Sequence, residues 1–574
     1  MRNPHHWSVT VAGFIGSGLL CALVAGVLAI TLAESLWLDE LHTSWSIAGG
    51  SWRQVADRAA AGNQTPLYFW IAAAVVQTLG DSTDWIVRAP SVVAWLAAMG
   101  LAVWVLLRER GTGEAPDGSR GPLFWVGVLG WIAVDRLHWF YATEARPYAL
   151  VQLVTLAGWF CLAELQRELQ SELQVRRGGK VFWLVGGWVV LAVVSVYLHL
   201  TALLPVGCQW LVGVAVLLSR SRQRLPEQVV APERIKAKLL YVWLAAAVGV
   251  AVACLPVLSV AKPVWQRRAQ WASFASDVSL ANGLAMFPVV AVLAPVLGAV
   301  VMGALLSRFG RGRVVESVTA RAADAAAVDR WGNRWLWWAA LLGPWLLAWL
   351  ITALEIAPMF HRRFVIASAL PLVIVGALEL MRVRRAWLRG LALVTVAGAI
   401  AFSQGSVGIW RQGYLVGTLR GEDWRGAAGW LSDRVRPGER VLCSSGLIEA
   451  VDVQLPLDRE LAEYLAFPLG GAYRVRVLDD GADESAVPIV ALAADAGLWA
   501  EQVGEQRAGQ VAQQTPEQVV APERCWLVYR GAKGRLLEKV EVFAAGRRKR
   551  GGEVRLVEVK GFGRVWVAEL MVDG

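Results

Sequence analysis

Val9–Ala33 reads VTVAGFIGSGLLCALVAGVLAITLA, 25 residues without a charge. As a helix it would run about 37 Å, enough for a hydrocarbon core of about 30 Å. The apolar heart of a cleaved signal is only about 7–15 residues, so this stretch reads as a retained anchor. Ser35–Trp70 follows at once: SLWLDELHTSWSIAGGSWRQVADRAAAGNQTPLYFW. Its two adjacent acids, Asp39 and Glu40, therefore start at a membrane surface. Acids there must face water or a partner. Two readings follow: a solvated loop with Trp37 in the interfacial belt, or a working pair.

The rest of the chain repeats the first segment's logic. Of 574 residues, 56% are hydrophobic, and 31 tryptophans suit many membrane interfaces. We read eleven apolar spans, among them 122–140 and 364–381. Pro66–Leu79 is 14 residues, about 21 Å as a helix, too short for a straightforward crossing. Charge settles its reading. If it lies along the surface, the N-terminus and loops 108–121, 166–180, 219–238, 307–334 and 382–389 share one side with 24 Lys and Arg, against ten on the other. That obeys the positive-inside rule, with an inside N-terminus and an outside C-terminus. Asp39, Glu40, Arg88, Glu144, Arg146, His199, Arg362 and Arg363 then all fall at the outer face. The span middles carry almost no charge, which argues against an ion-coupled transporter.

The net charge is +10, but residues from 405 onward hold 22 basic and 24 acidic groups, leaving the excess in short membrane loops. The basic balance is a topology signal and not a nucleic-acid footprint. The expected fold is thus an α-helical polytopic membrane domain, 1–404, followed by a soluble outer-face α/β domain, 405–574. In that tail, Glu422–Leu431 reads as a helix, Gly438–Cys443 as a turn into a strand, and Cys525–Arg530 and Arg564–Val572 as strands. Residues 479–520 read as loop. None of the six cysteines has zinc or redox spacing. Cys443 and Cys525 would be free to pair if the tail lies outside. PEQVVAPER occurs at Pro226–Arg234 and again at Pro516–Arg524, and reads as polar insert without shared function.

Three further clusters carry charge. Tyr141–Leu150 reads YATEARPYAL, where Glu144 and Arg146 either pair to keep a hairpin soluble or serve a site. Ser195–Leu204, SVYLHLTALL, puts His199 at a span end, as a helix-end hydrogen-bonder or a ligand. Pro358–Pro371, PMFHRRFVIASALP, has Arg362 and Arg363 entering a span, where they snorkel or hold a lipid phosphate.

The order WLDE, TPLYFW, Arg88-Ala89-Pro90-Ser91, YATEARPYAL, YLHLTALL and HRRFVIASALP resembles C-type glycosyltransferases of the protein O-mannosyltransferase and aminoarabinose-transferase superfamily (glycosyltransferase family 39-like). The resemblance covers about residues 10–410, and DWRGAAGWL in the tail fits it too. It implies a bacterial inner-membrane enzyme with a periplasmic tail. That enzyme would move a hexosyl or pentosyl group from a polyprenyl-phosphate donor to a hydroxyl acceptor on a lipid, glycan or protein, with inversion. It implies Asp39 as catalytic base, with Glu40 and Glu144 beside it. It puts Arg362, Arg363 and Arg88 on the donor phosphate, and Tyr68, Arg146, Tyr148 and His199 on substrate. A divalent metal on Asp39, Glu144 and His199 is part of the same implication. Thr65 and Leu198 depart from the family's pattern.

The chemistry agrees with the residues. A base must take the acceptor's proton, and cations must meet the charge building on the leaving phosphate. A carrier or flippase for the same lipid is the alternative, using the same arginines. If the membrane half alone is the enzyme, removing 420–574 would spare catalysis.

Overall fold

A computed structural model describes residues 4–110, 122–170, 178–219, 232–266, 277–309, 334–447, 450, 458–477, 485–503 and 523–572. The chain forms two compact units. The first comprises 1–31, 63–68 and 88–417, and the second 32–62, 69–87 and 418–574.

The first unit is helical. Its main elements are α1 (Pro4–Ala33), α5 (Asp84–Arg110), α6 (Pro122–Val134), α7 (Arg136–Thr143), α8 (Tyr148–Gln170), α9 (Gly178–Leu198), α10 (Leu203–Ser219), α11 (Pro232–Ala253), α12 (Leu258–Gln266), α13 (Leu280–Met286), α14 (Val289–Phe309), α15 (Arg334–Ala353), α16 (Ala369–Met381), α17 (Ala386–Ser403) and α18 (Ser406–Arg411). Among the described residues, eight helices are long and apolar enough to cross a membrane, and α11 with α12 makes a ninth, bent by 40°. Two expected spans are shorter. The 122–140 segment stops at Val134, because Asp135 caps a new helix there. The 364–381 segment opens as two 3₁₀ turns and becomes α-helical only at Ala369. Helix α4 (Leu67–Leu79) has 13 residues, about 20 Å, and buries Tyr68, Phe69, Ala72 and Ala73 on one face.

The second unit unites the first loop with the tail. From the loop come α2 (Leu38–Ile47), α3 (Trp52–Ala61) and most of α4. From the tail come α19 (Trp424–Ser432), α20 (Arg459–Phe467), α21 (Lys533–Arg548) and a five-stranded sheet in the order β4-β1-β5-β7-β6. Its strands are β1 (Arg440–Ser444), β4 (Ile489–Ala491), β5 (Glu523–Arg530), β6 (Val554–Phe562) and β7 (Val565–Val572). β2 (Arg476–Val477) and β3 (Ser485–Ala486) form a separate pair. β1 runs parallel to β4 and β5, while β7 is antiparallel to β5 and β6.

One face of this sheet packs Val441, Cys443, Trp526, Val528, Val565 and Val567 against Trp424 and Leu431 of α19, and against Leu36, Leu38, Leu41 and Trp45 from the first loop. The spacing 38, 41, 45 is one stripe of a helix. The first loop and the tail thus share one core. In the compact units, residues from 418 group with the first loop, whose apolar stripe is buried in that core. Trp45 stacks on Tyr464 with ring centroids 4.4 Å apart, and the Arg58 guanidinium lies 4.7 Å over the Trp45 ring.

The Cys443–Cys525 pairing does not form. All six cysteines are free. Cys443 lies opposite Val528 and Cys525 opposite Arg440, so the two are three positions out of register on neighbouring strands. They face opposite sides of the sheet, Cys443 in one core and Cys525 in the other. Burial pushes the Cys443 and Cys525 thiols up to about 12. The region read as loop also holds structure, since Ile489–Ala491 is a strand and Trp499 and Ala500 are buried. Residues 226–231 and 516–522 of the repeated PEQVVAPER lie outside the described residues, as do Arg267 and Arg268, two of the ten basic residues counted on the outer side; the copies' described ends open α11 and β5.

Candidate active site

In the second unit, Asp39 is the second residue of α2, after the N-cap Trp37, and is half-buried. A carboxylate suits this position because the first turn has unsatisfied N–H groups and the positive end of the helix dipole. Glu40 faces the other way and is fully buried. Its Oε2 accepts the Trp37 N–H at 3.3 Å and lies 3.0 Å from Nε of Arg420, itself fully buried. Arg420 also pairs with Glu34 at 3.3 Å. The two adjacent acids therefore differ: Glu40 is buried against Arg420, and Asp39 is the more exposed of the two.

The first unit gathers most of the other residues. Arg88 is fully buried near the start of α5, with Nη1 3.4 Å from the Thr31 carbonyl. Ser91 Oγ donates to the Arg146 carbonyl at 3.0 Å. Its proton is thereby used, so Tyr68 OH donates to Ser91 Oγ at 2.9 Å. Tyr68 thus fastens the start of α4 to the YATEARPYAL turn. Helix α7 begins at Asp135, which accepts from the backbone of Leu137 and His138 and from Gln404. It ends at Glu144, and Pro147 leads into α8.

His199 sits in the break between α9 and α10 and caps the turn Leu200–Ala202, its Nδ1 accepting from the Thr201 N–H at 3.3 Å. Its ring is 5.5 Å from Tyr148 and 6.4 Å from Phe364. Arg362, Arg363 and Phe364 form a 3₁₀ turn capped by His361. Arg362 Nη2 donates to the Ala285 carbonyl at 3.1 Å. Its Nε and the Ser368 hydroxyl are shielded and have no hydrogen-bond partner among the described residues.

Electrostatics tie these pieces together. Burial lowers the His199 pKa, and the charges of Arg146 and Arg363 lower it further. Burial raises the Tyr141 pKa and Glu144 adds to it, against the pull of Arg363 and Arg362. His199 is thus neutral and Tyr141 a protonated donor at neutral pH. The cluster has three arginines against one glutamate, which suits an anion. His199 also gives a pH prediction. Its folded pKa lies below the unfolded value of about 6.5, so the unfolded chain gains a proton first as pH falls. Stability from this site is complete above about pH 6.5 and declines below it. His199→Gln should flatten the fall in thermal midpoint between pH 6.5 and 4.5; an unchanged slope would contradict the assignment.

Among the described residues, no three His, Cys, Asp or Glu side chains stand close enough together to hold a metal. His199 moreover uses Nδ1 as a helix-cap acceptor, which puts the proton on Nε2, the nitrogen a metal would need. No step below runs through a metal. The sequence missed Ser91, Tyr141, Ser368 and Phe364 as parts of this cluster. All four stand inside the quoted motifs or directly beside Arg88, so motif membership was their only signal.

No protein-family model matches this chain, and no curated protein matches it. Among solved structures, the chain is similar to ArnT from Cupriavidus metallidurans bound to undecaprenyl phosphate, at 12% identity and TM-score 0.46, over 96% of this chain and 97% of that one. It is similar to the apo form of the same protein at 14% identity and TM-score 0.44, over 97% and 98%. The archaeal oligosaccharyltransferase AglB from Archaeoglobus fulgidus, in complex with an inhibitory peptide and a dolichol-phosphate, matches at 10% identity and TM-score 0.38, over 82% and 61%.

Proposed function

We propose that this chain is an integral-membrane glycosyltransferase. It moves a hexosyl or pentosyl group from a polyprenyl-phosphate donor to a hydroxyl acceptor, with inversion, at the outer face of a bacterial inner membrane. The N-terminus lies in the cytoplasm and the tail outside. The observation that carries this reading is the gathering of Arg146, Arg362, Arg363, Glu144, Tyr148 and His199 in one helical unit, from motifs spread over more than 200 positions.

Asp39 takes the proton from the acceptor hydroxyl as that oxygen attacks the anomeric carbon. The bond from that carbon to the phosphate oxygen breaks with its electron pair, leaving polyprenyl phosphate. Arg362 and Arg363 meet the charge that builds on it, with Arg88 as a third cation. The shielded Nε of Arg362 and the Ser368 hydroxyl supply donors for the same phosphate. Arg146, Tyr68, Tyr148 and neutral His199 shape the sugar site, and Glu144 holds the cations in place. Attack opposite the leaving group inverts the centre.

Arg362→Ala tests the phosphate assignment. Loss of a charge-assisted hydrogen bond costs about 2 kcal/mol, so the KM for donor should rise roughly 30-fold. An unchanged donor KM would remove Arg362 from the phosphate site.

A further inference from the structure

We infer that Arg420 and Glu422, in the tail, are positioning residues for Asp39, acting through Glu40 and the first turn of α2. This rests on the proposed role of Asp39. Glu422 Oε2 accepts the Leu38 N–H at 3.1 Å, satisfying one of the open donors at the start of α2. The same oxygen accepts from Trp424 Nε1 at 3.0 Å, and Oε1 accepts from Arg530 Nε at 2.7 Å. The carboxylate is fully buried and held from three sides.

Its backbone is held as well. Glu422 bridges to Gly563 in the β6–β7 turn, and the Arg564 N–H donates to the Gly421 carbonyl at 2.8 Å. Gly421 has φ +68°, and a Cβ on Gly563 would stand 2.3 Å from the Gly421 carbonyl oxygen. No side chain fits between the two glycines, so the turn presses directly on the segment that carries Arg420 and Glu422. Arg420 completes the clamp through Glu40 and Glu34. Further along, Leu36 N–H donates to Tyr473 OH at 2.8 Å, and Arg425 N–H donates to Ser35 Oγ at 3.2 Å. Every residue from Ser35 to Glu40 except Trp37 and Asp39 is buried, and the tail grips this run at four points.

The clamp sets charge as well as position. Arg420 neutralises Glu40, the residue next to the base. Without it, an uncompensated carboxylate would raise the Asp39 pKa.

The test uses the full-length protein in membranes, assayed for release of polyprenyl phosphate. Arg420→Met should lower kcat about 100-fold with donor KM within about twofold, because a misplaced base loses the step and not the binding. It should also move the acid limb of the kcat–pH profile upward. Glu40→Gln with Arg420→Met also removes the carboxylate next to Asp39, leaving only the more distant Glu34 without its guanidinium, and should move the limb most of the way back and recover part of kcat. Glu422→Gln, nearly isosteric, should lower kcat without moving donor KM, and guards against a folding defect in the arginine variant. Wild-type kcat and an unmoved limb in Arg420→Met would overturn the inference, as would a loss that only tracks the amount of folded protein. If Asp39→Asn keeps full activity, the functional reading itself falls; if Asp39→Asn is dead while Arg420→Met and Glu422→Gln are normal, only the clamp falls.

Discussion

Asp39→Asn lowers kcat for sugar transfer by about 10²- to 10⁴-fold, the usual worth of a general base, and leaves donor KM nearly unchanged. The substitution is nearly isosteric and sits in a half-buried first turn, so the fold should survive it. Neighbouring Glu40 cannot take over. It is fully buried on Arg420, and turning it outward would break that buried ion pair and leave the guanidinium with Glu34 alone. Steady-state assay of purified protein with a polyprenyl-phosphate sugar separates the two constants. A variant with wild-type kcat would remove Asp39 as base.

Trp45→Ala is expected to be among the most damaging single changes outside the reacting groups. Trp45 is 1% exposed, stacked on Tyr464 and covered by Arg58. Removing the indole leaves a cavity costing about 3–5 kcal/mol. In a unit of this size that lowers the thermal midpoint by roughly 10 °C or more. Limited proteolysis of the tail against temperature measures it. The same packing reverses the expectation for truncation. Deleting 420–574 would expose Leu38, Leu41 and Trp45 together and release the turn that bears Asp39. The truncated protein should bind to membranes and lack transfer activity. A shift of less than about 2 °C in Trp45→Ala would contradict the shared core.

The membrane half was legible because its signal is local. Val9–Ala33 needs only its own length and lack of charge to be read as a span, and α1 runs to Ala33. The breaks were less legible. Asp135 stops α6 by capping its successor, and the capping oxygen also accepts from Gln404, far along the chain. The cluster of arginines, glutamate and histidine was readable only through the order of motifs. Its contacts join α8, the turn at His199 and the turn at Arg362. Nothing local announced that the first loop folds with the tail. The stripe at 38, 41 and 45 is plain in SLWLDELHTSW, yet the surface that covers it lies nearly 400 positions on. For the same reason the ion pair of Glu40 could not be read from its own stretch: its partner Arg420 lies 380 positions on. The cysteine pair failed on strand parity, which needs the register of two strands more than 70 positions apart.

The most direct measurement is release of polyprenyl phosphate by the purified full-length protein in vesicles. The vesicles carry a polyprenyl-phosphate sugar and a hydroxyl-bearing extract of the cell envelope. The account predicts one polyprenyl phosphate released per sugar transferred, the transferred sugar having inverted anomeric configuration, with release slowed at least about 100-fold in Asp39→Asn. Donor that binds, or crosses the bilayer, with its sugar–phosphate bond intact against every acceptor would contradict it and leave a carrier in its place.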